Sequence, residues 1–424
     1  MRYYSTRSKT HDVSFSEAAL GGLAPDGGLY VPAEIPQLSP AVKSSLGSMS
    51  YLEIALELIR PWVAGDIPNG VLEEMIQDAY PFGAPLTGLS DRSVLELFHG
   101  PTGAFKDFGA RFMARAFSYL RRGEDRPLKI LVATSGDTGG AVADGFFGVQ
   151  GVTVTVLYPQ GRITSLQEKQ IAGLGENISA LAVEGSFDDC QRLVKEAFGD
   201  QELKERLALS SANSINISRL VPQCVYYASG AGEIPGAIIS VPSGNFGNLT
   251  AGLYAARMGA PIAGFVAATN VNRTVPDYLA TGNYEARSSV ATLSNAMDVG
   301  APSNFERMAA HFTLSEMRQM ILGASVTDDE TRETIGDVFS KEGYCLDPHT
   351  AVGWRAVDKL KAAGPLGRGD RIIVAATAHP AKFAETVEPI TGPVTVPPSL
   401  QKALGRTVVS RPIPARLEAL REYL

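Results

Sequence analysis

Three short segments of this chain carry residue types that one bound aldehyde would need together. Lys106 stands in the run His99-Gly100-Pro101-Thr102-Gly103-Ala104-Phe105-Lys106-Asp107-Phe108-Gly109. Lysine is the side chain that forms a stable yet exchangeable Schiff base with an aldehyde, and its amine attacks only when neutral, which partial desolvation favours. Phe105 and Phe108 are expected to supply that apolar wall. The second segment, Ser243-Gly244-Asn245-Phe246-Gly247-Asn248, has glycines that let backbone N–H groups close on a phosphate, with a helix start directly behind them. The third is Thr377, after the strand-like run Arg371 to Ala376, where a neutral hydroxyl can meet a ring nitrogen. Aldehyde, phosphate and ring nitrogen are the three handles of pyridoxal phosphate. A hydroxyl rather than a carboxylate at the nitrogen favours elimination and replacement over transamination.

Taken singly, each segment has a plainer reading. Lys106 can be a solvated lysine opening a helix, since Phe108, Phe112, Ala116 and Tyr119 share one face of the pattern Asp107 to Tyr119. The 243–248 loop can be a glycine-rich turn with no ligand. It matches neither Gly-x-x-x-x-Gly-Lys-Ser nor Gly-x-Gly-x-x-Gly, so nucleotide binding loses support. His379 reads as a loop histidine satisfied by its neighbours. The combination of lysine, cradle and hydroxyl favours the cofactor.

Such residues need rigid delivery, and in open α/β sheets ligands gather where strand ends meet helix N-termini. Alternating short apolar strands and helices from Val94 onward predict layered α/β structure with largely parallel sheets. Candidate strands are Leu128–Ala133, Val152–Leu157, Ile178–Val183, Ala237–Val241, Ile262–Ala267 and Arg371–Ala375, rich in the β-branched residues of buried strands. After the first of these, Thr134-Ser135-Gly136-Asp137-Thr138-Gly139-Gly140 leaves backbone N–H groups open to a carboxylate, or is a tight turn with Asp137 as helix N-cap. Ser165 to Glu168 reads as a capping box, and the helix Leu249 to Met258 ends at Gly259. A terminal helix is expected over Pro414 to Leu424. The expected division is an accessory domain over 1–93 with helices at Tyr51–Trp62 and Val71–Tyr80. A smaller mobile α/β domain over 94–230 carries the lysine at its border, and a large cofactor-binding α/β domain with a C-terminal arm fills 231–424.

Composition excludes several classes. A formal charge of −7 without any basic run argues against nucleic acid. Cys190, Cys224 and Cys345 are few, odd in number and far apart, which fits neither a disulfide framework nor a zinc site, and the histidines lack ligand spacing, so no metal is expected. No stretch approaches the roughly 18 apolar residues of a membrane span, and the first residues lack the apolar core of a secretory signal. The reading is a cytoplasmic protein with no membrane partner; its oligomeric state is not encoded.

Longer runs carry a resemblance: Glu96 to Thr102, Phe105 to Gly109, Ala133 to Gly139, Leu166 to Lys169, Ser211 to Leu220, Val241 to Gly247, Ala268 to Asn270, Leu293 to Asp298 and Thr377 to Phe383. In these the chain resembles the threonine synthase family, in its longer form with an additional N-terminal domain. The resemblance implies the tryptophan synthase β-like, fold type II architecture of pyridoxal phosphate enzymes. Lys106 would be the Schiff-base lysine, Ser243, Gly244, Asn245, Phe246, Gly247 and Asn248 would surround the cofactor phosphate, and Thr377 would face the ring nitrogen. Ser135, Gly136, Asp137 and Thr138 would bind the substrate carboxylate near the ring hydroxyl. Asn213 and Arg219 would grip a substrate phosphate, with a surface ion pair as the alternative for Arg219. The implied reaction converts O-phospho-L-homoserine and water to L-threonine and phosphate, with a segment near 111–213 closing over the substrate. A related dehydratase or phospho-lyase is the nearest rival, and a noncatalytic phosphometabolite-binding protein the rival from another class.

Overall fold

The computed structural model describes Met1 to Leu424 apart from the side chains of residues 204 and 205. In chain order the strands are β1 (Tyr3–Ser5), β2 (Tyr30–Pro32), β3 (Leu86–Gly88), β4 (Ser93–Glu96), β5 (Leu128–Ala133), β6 (Val152–Pro159) and β7 (Ile178–Glu184). They continue as β8 (Ala208–Ser211), β9 (Ala237–Pro242), β10 (Ile262–Thr269), β11 (Ile321–Ser325), β12 (Ile372–Ala376) and β13 (Arg411–Pro414). β1 and β2 form a small antiparallel ribbon. A six-stranded sheet runs β11-β10-β9-β12-β4-β3, parallel except for the β3/β4 hairpin, and a five-stranded parallel sheet runs β13-β7-β6-β5-β8. Helices cover the faces, as parallel sheets require.

The two sheets interleave distant parts of the chain. β4 lies beside β12, its register partners Ser93 and Ile373 being 280 residues apart in the chain, and β13 returns to β7 of the five-stranded sheet. The order β9-β12-β4 creates a topological switch, so the loops after three adjacent, parallel strands open into one crevice. Those loops lead to Ser243, Thr377 and Lys106. In the other sheet the adjacent ends of β5 and β8 lead to Ser135 and Asn213.

The N-terminal region packs onto this frame. Its helix Tyr51–Val63 opens with a capping box, in which Ser50 Oγ accepts from Glu53 N at 3.3 Å and Glu53 Oε2 accepts from Ser50 N at 2.7 Å. The helix buries Ile54, Leu58, Ile59 and Trp62, and Trp62 stacks on Tyr254 with ring centroids 5.6 Å apart. Tyr80 donates its hydroxyl hydrogen to Phe108 O at 3.0 Å and so braces the helix Lys106–Leu120.

Three expectations need correction. The capping box before Ser165–Ala172 starts one residue earlier: Thr164 Oγ1 accepts from Gln167 N, and Gln167 Oε1 accepts from Thr164 N at 3.0 Å. Asp137 is the first residue of the helix Asp137–Phe146, with Gly136 as N-cap at φ 133°, so its side chain is free to point into the protein. The expected helix over Pro414–Leu424 shrinks to Leu417–Arg421, because Arg411–Pro414 is taken as an edge strand, a position that tolerates the missing N–H groups of Pro412 and Pro414. Among the described residues no helix is long and apolar enough to cross a membrane.

Candidate active site

Backbone pairing between loops holds the lysine. Leu97 N donates to Ala376 O at 3.0 Å, Phe105 N to Thr377 O at 2.9 Å and His379 N to Gly103 O at 2.9 Å, so the loop after β4 is zipped to the loop after β12. Asp107, fully buried, accepts from Thr102 N at 2.9 Å and Thr102 Oγ1 at 2.6 Å, folding the Gly100–Gly103 turn around its carboxylate. A side chain at Gly100 would stand 2.3 Å from Asp107 Oδ2, which explains the glycine. Lys106 then projects into a cavity as the first residue of its helix.

Desolvation is the main force on Lys106, lowering its amine to about 8 against the pull of the Asp137 carboxylate, with Arg219 and Lys382 adding to the fall. Roughly a tenth of the amine is therefore neutral at pH 7, far more than for a solvated lysine. Phe105 supplies an apolar neighbour, its ring centroid 4.8 Å from Lys106 Nζ. Phe108 does not. It turns into the core against Phe82, Tyr226 and Tyr80 at 5.1, 5.3 and 5.9 Å.

Beside the lysine lies the 243–248 loop. Ser243 N is spent on Ala268 O and Leu249 N on Asn248 Oδ1, both at 3.0 Å. Between them the backbone N–H groups of Gly244, Asn245, Phe246, Gly247 and Asn248 have no acceptor among the described residues. Phe246 adopts φ 58°, an αL conformation uncommon for a residue with a side chain, and it turns the chain into the helix Gly247–Met258. The side chains act as braces: Asn245 Nδ2 donates to Ser214 Oγ at 2.6 Å, Ser243 Oγ to Asn248 Oδ1 at 3.0 Å and Asn248 Nδ2 to Pro242 O at 2.8 Å. Gly244 is squeezed by the neighbouring loop, where an added Cβ would lie 2.6 Å from Ala296 O. An unspent row of N–H groups at a helix N-terminus suits a phosphate monoester without any basic side chain.

Ser135, Asp137 and Thr138 line the cavity from the five-stranded sheet. Gly136 does not reach it; a Cβ there would be 2.3 Å from Gln167 Cδ, so its role is the turn itself. Asn213 also lines the cavity, its Nδ2 donating to Ala133 O at 2.7 Å. Arg219 is fully buried and joins no ion pair among the described residues, which overturns the surface ion-pair alternative. Its Nη1 donates to Ala212 O at 2.7 Å, while Nε and Nη2 have no partner. Burial lowers even this guanidinium to about 10. An unpartnered buried cation is costly, and these two donors leave Arg219 able to accept an anion as partner.

Two features escaped sequence reading. His349 lines the cavity with both ring nitrogens engaged, Nδ1 on Asp347 Oδ1 at 2.8 Å and Nε2 accepting from Ala296 N at 3.2 Å, so it fixes the 294–299 loop. Lys382, fully buried, reaches Asp137. A histidine on a helix and a lysine in a loop give no local signal; both act across long separations. His379 stays outside the cavity lining, its Nδ1 accepting from Ala381 N at 3.1 Å.

An amine held partly neutral, a row of unspent N–H groups and Thr377 all face one cavity, and together they match the aldehyde, phosphate and ring nitrogen of one cofactor. Fold and site thus define a pyridoxal-phosphate-dependent enzyme of fold type II. Family comparison agrees: residues 93–378 match the pyridoxal-phosphate dependent enzyme model, residues 2–80 the threonine synthase N-terminus and residues 350–424 the threonine synthase C-terminal model. Threonine synthase from Escherichia coli K12 is 42% identical over 100% of this chain and 99% of its own, and the yeast enzyme 36% identical over 91% and 88%. The solved E. coli structure superposes with a TM-score of 0.92, and pyridoxal-phosphate-bound threonine synthase from Brucella melitensis with 0.91 at 38% identity, each covering the whole chain and at least 98% of the relative. Maize serine racemase, at 13% identity and a TM-score of 0.57, shares the fold alone. The chain belongs to the threonine synthase family, and it is a pyridoxal-phosphate-dependent lyase acting on a small molecule.

Proposed function

We propose that this chain converts O-phospho-L-homoserine and water to L-threonine and phosphate. The observation that carries the reading is Arg219: two buried, unpartnered guanidinium donors open into the cavity that holds Lys106, where a substrate phosphate can use both. Asn213 borders the same space. The cofactor phosphate needs neither, because backbone N–H groups of residues 244–248 suffice for it.

The residues divide the work. Lys106 would hold the cofactor through its amine, and it is the base placed to remove the substrate α-proton. When bound, the cofactor supplies the electron sink that makes that proton, and then the β-proton, acidic enough to leave. Thr377 offers the ring nitrogen a hydroxyl and not a carboxylate, suiting elimination. Backbone N–H groups around Ser135 and Thr138 suit the substrate carboxylate, whereas the negative charge of Asp137 does not. Arg219 and Asn213 hold the γ-phosphate as its C–O bond breaks, and Lys106 returns a proton at Cγ before water adds at Cβ and a second proton at Cα afterwards. Phe105, Phe246 and Met297 limit stray water at the reacting carbons.

The test is product analysis. Cofactor-loaded protein incubated with O-phospho-L-homoserine should release phosphate and threonine in equal amounts; phosphate with a keto acid would support a phospho-lyase instead.

A further inference from the structure

Behind the cavity lies a buried ion pair that the catalytic reading does not use. Lys382 Nζ stands 3.0 Å from Asp137 Oδ1, with the two side chains 0% and 4% exposed. The remaining ammonium protons are spent on Thr102 O at 2.7 Å and Gln170 Oε1 at 2.9 Å, and Gln167 Nε2 donates to the same Asp137 oxygen at 3.0 Å. Each proton of Lys382 thus has an acceptor, as a buried cation requires. The pair also joins the two sheets, since Lys382 sits in the turn Pro380–Phe383 after β12 and Asp137 opens the helix after β5. Asp137 lines the cavity beside Lys106, whereas Lys382 stands outside its lining.

We propose that Lys382 is a positioning residue that acts through Asp137: the pair keeps the charge beside Lys106 balanced and so sets the pH at which the Lys106 nitrogen exchanges its proton. The charged and titratable groups involved are few. Asp137, Arg219 and Lys382 act on Lys106; Lys382, Lys106 and His349 act on Asp137; Asp107 and His379 feel Lys382 from the other side. Burial alone would raise the Asp137 carboxyl, yet Lys382 and then Lys106 hold it well below the usual carboxylate range. Asp137 is therefore ionised, and its charge favours the protonated lysine nitrogen while Lys382 opposes it. Remove one partner and the balance fails in a defined direction. Without Lys382 the site carries one extra negative charge and the nitrogen keeps its proton to higher pH. Without the Asp137 charge it carries one extra positive charge and loses the proton at lower pH.

This inference rests on Lys106 being the nitrogen that holds the cofactor. Its test is the visible absorption of the cofactor-loaded protein as a function of pH, which reports the proton on that nitrogen. Charges of the cofactor itself are common to all variants and cancel in the comparison. Lys382→Met should move the midpoint upward by about one unit or more, and Asp137→Asn downward by about as much. The double variant should return close to the parent, and Lys382→Arg should stay there. Lys382→Gln, which keeps a donor for Thr102 O, replaces the methionine variant if that does not fold. A parent whose spectrum is flat to high pH is still informative, because Asp137→Asn must bring the transition into range and Lys382→Met added to it must move it out again. Single variants that titrate like the parent, or a double variant that fails to return, would overturn the proposal. A protein without the visible band, or a Lys106→Ala variant that retains it, would instead overturn the assignment of Lys106.

Discussion

The two walls of the cavity are built on different principles. The wall from the six-stranded sheet is braced: loops after β4 and β12 are zipped by backbone hydrogen bonds, Asn245 and Asn248 are spent on neighbours, and only backbone N–H groups are left open. The wall from the five-stranded sheet leaves a charged side chain open, with Arg219 buried and two of its donors unpaired. In the proposed assignment, a group that stays bound would be met by fixed backbone dipoles that cost no side-chain ordering, and a group that comes and goes by a cation whose burial is unfavourable until it arrives.

The largest effect should come from the braced wall. Lys106→Ala should lower turnover by at least about 10⁴-fold, because nucleophile and base are lost together. Normal threonine formation by this variant would remove Lys106 from the site. Next, Arg219→Met should lower kcat/KM for the phosphorylated substrate by about 100-fold, as expected for lost charge-assisted hydrogen bonds, without lowering Tm, since an unpaired buried charge goes with them. An unchanged kcat/KM would place the substrate phosphate elsewhere, and a large drop in Tm would erase the contrast between the walls.

Smaller effects sharpen the contrast. Gly244→Ala places a Cβ 2.6 Å from Ala296 O, and the forced shift should cost about 1–3 kcal/mol, read as roughly 10- to 100-fold weaker cofactor retention in equilibrium dialysis. Cofactor retention equal to the parent would mean that the loop is not the cradle. The mildest is a pH effect. With the Lys106 amine at about 8, only the neutral form attacks, so cofactor uptake by stripped protein should rise with pH and level off above about 8. Stopped-flow absorbance that gives a pH-independent rate between pH 6 and pH 9 would contradict the depressed amine.

Much of the braced wall was legible in the chain because its signals are local. The 243–248 loop and Thr377 each follow a strand with a recognisable apolar run, whereas β4, the short strand before Lys106, was not among the expected strands and the lysine stood out by its own segment. Strand β5 was read with its observed ends, Leu128 and Ala133. The open wall was less legible: Arg219 is indistinguishable in sequence from a surface arginine, and only its burial reveals its unpaired donors. Phe108 looked like a neighbour of the amine but faces the other side of its helix, into the core with Tyr80 and Phe82. Lys382 has no local pattern, its partner Thr102 lying 280 residues away, and His349, though bonded to nearby Asp347, acts on Ala296, 53 residues away. Strand β13 failed for the same reason, since its pairing with β7 decides its conformation against a proline-rich sequence.

The most direct test of the account follows oxygen. Turnover of O-phospho-L-homoserine in ¹⁸O-labelled water should place the label in the threonine hydroxyl and none in the released phosphate, because the C–O bond breaks at Cγ and water adds at Cβ. Label in the phosphate together with homoserine would mean simple hydrolysis at phosphorus, and an unlabelled threonine hydroxyl would contradict addition of water. Either result would overturn the proposed reaction.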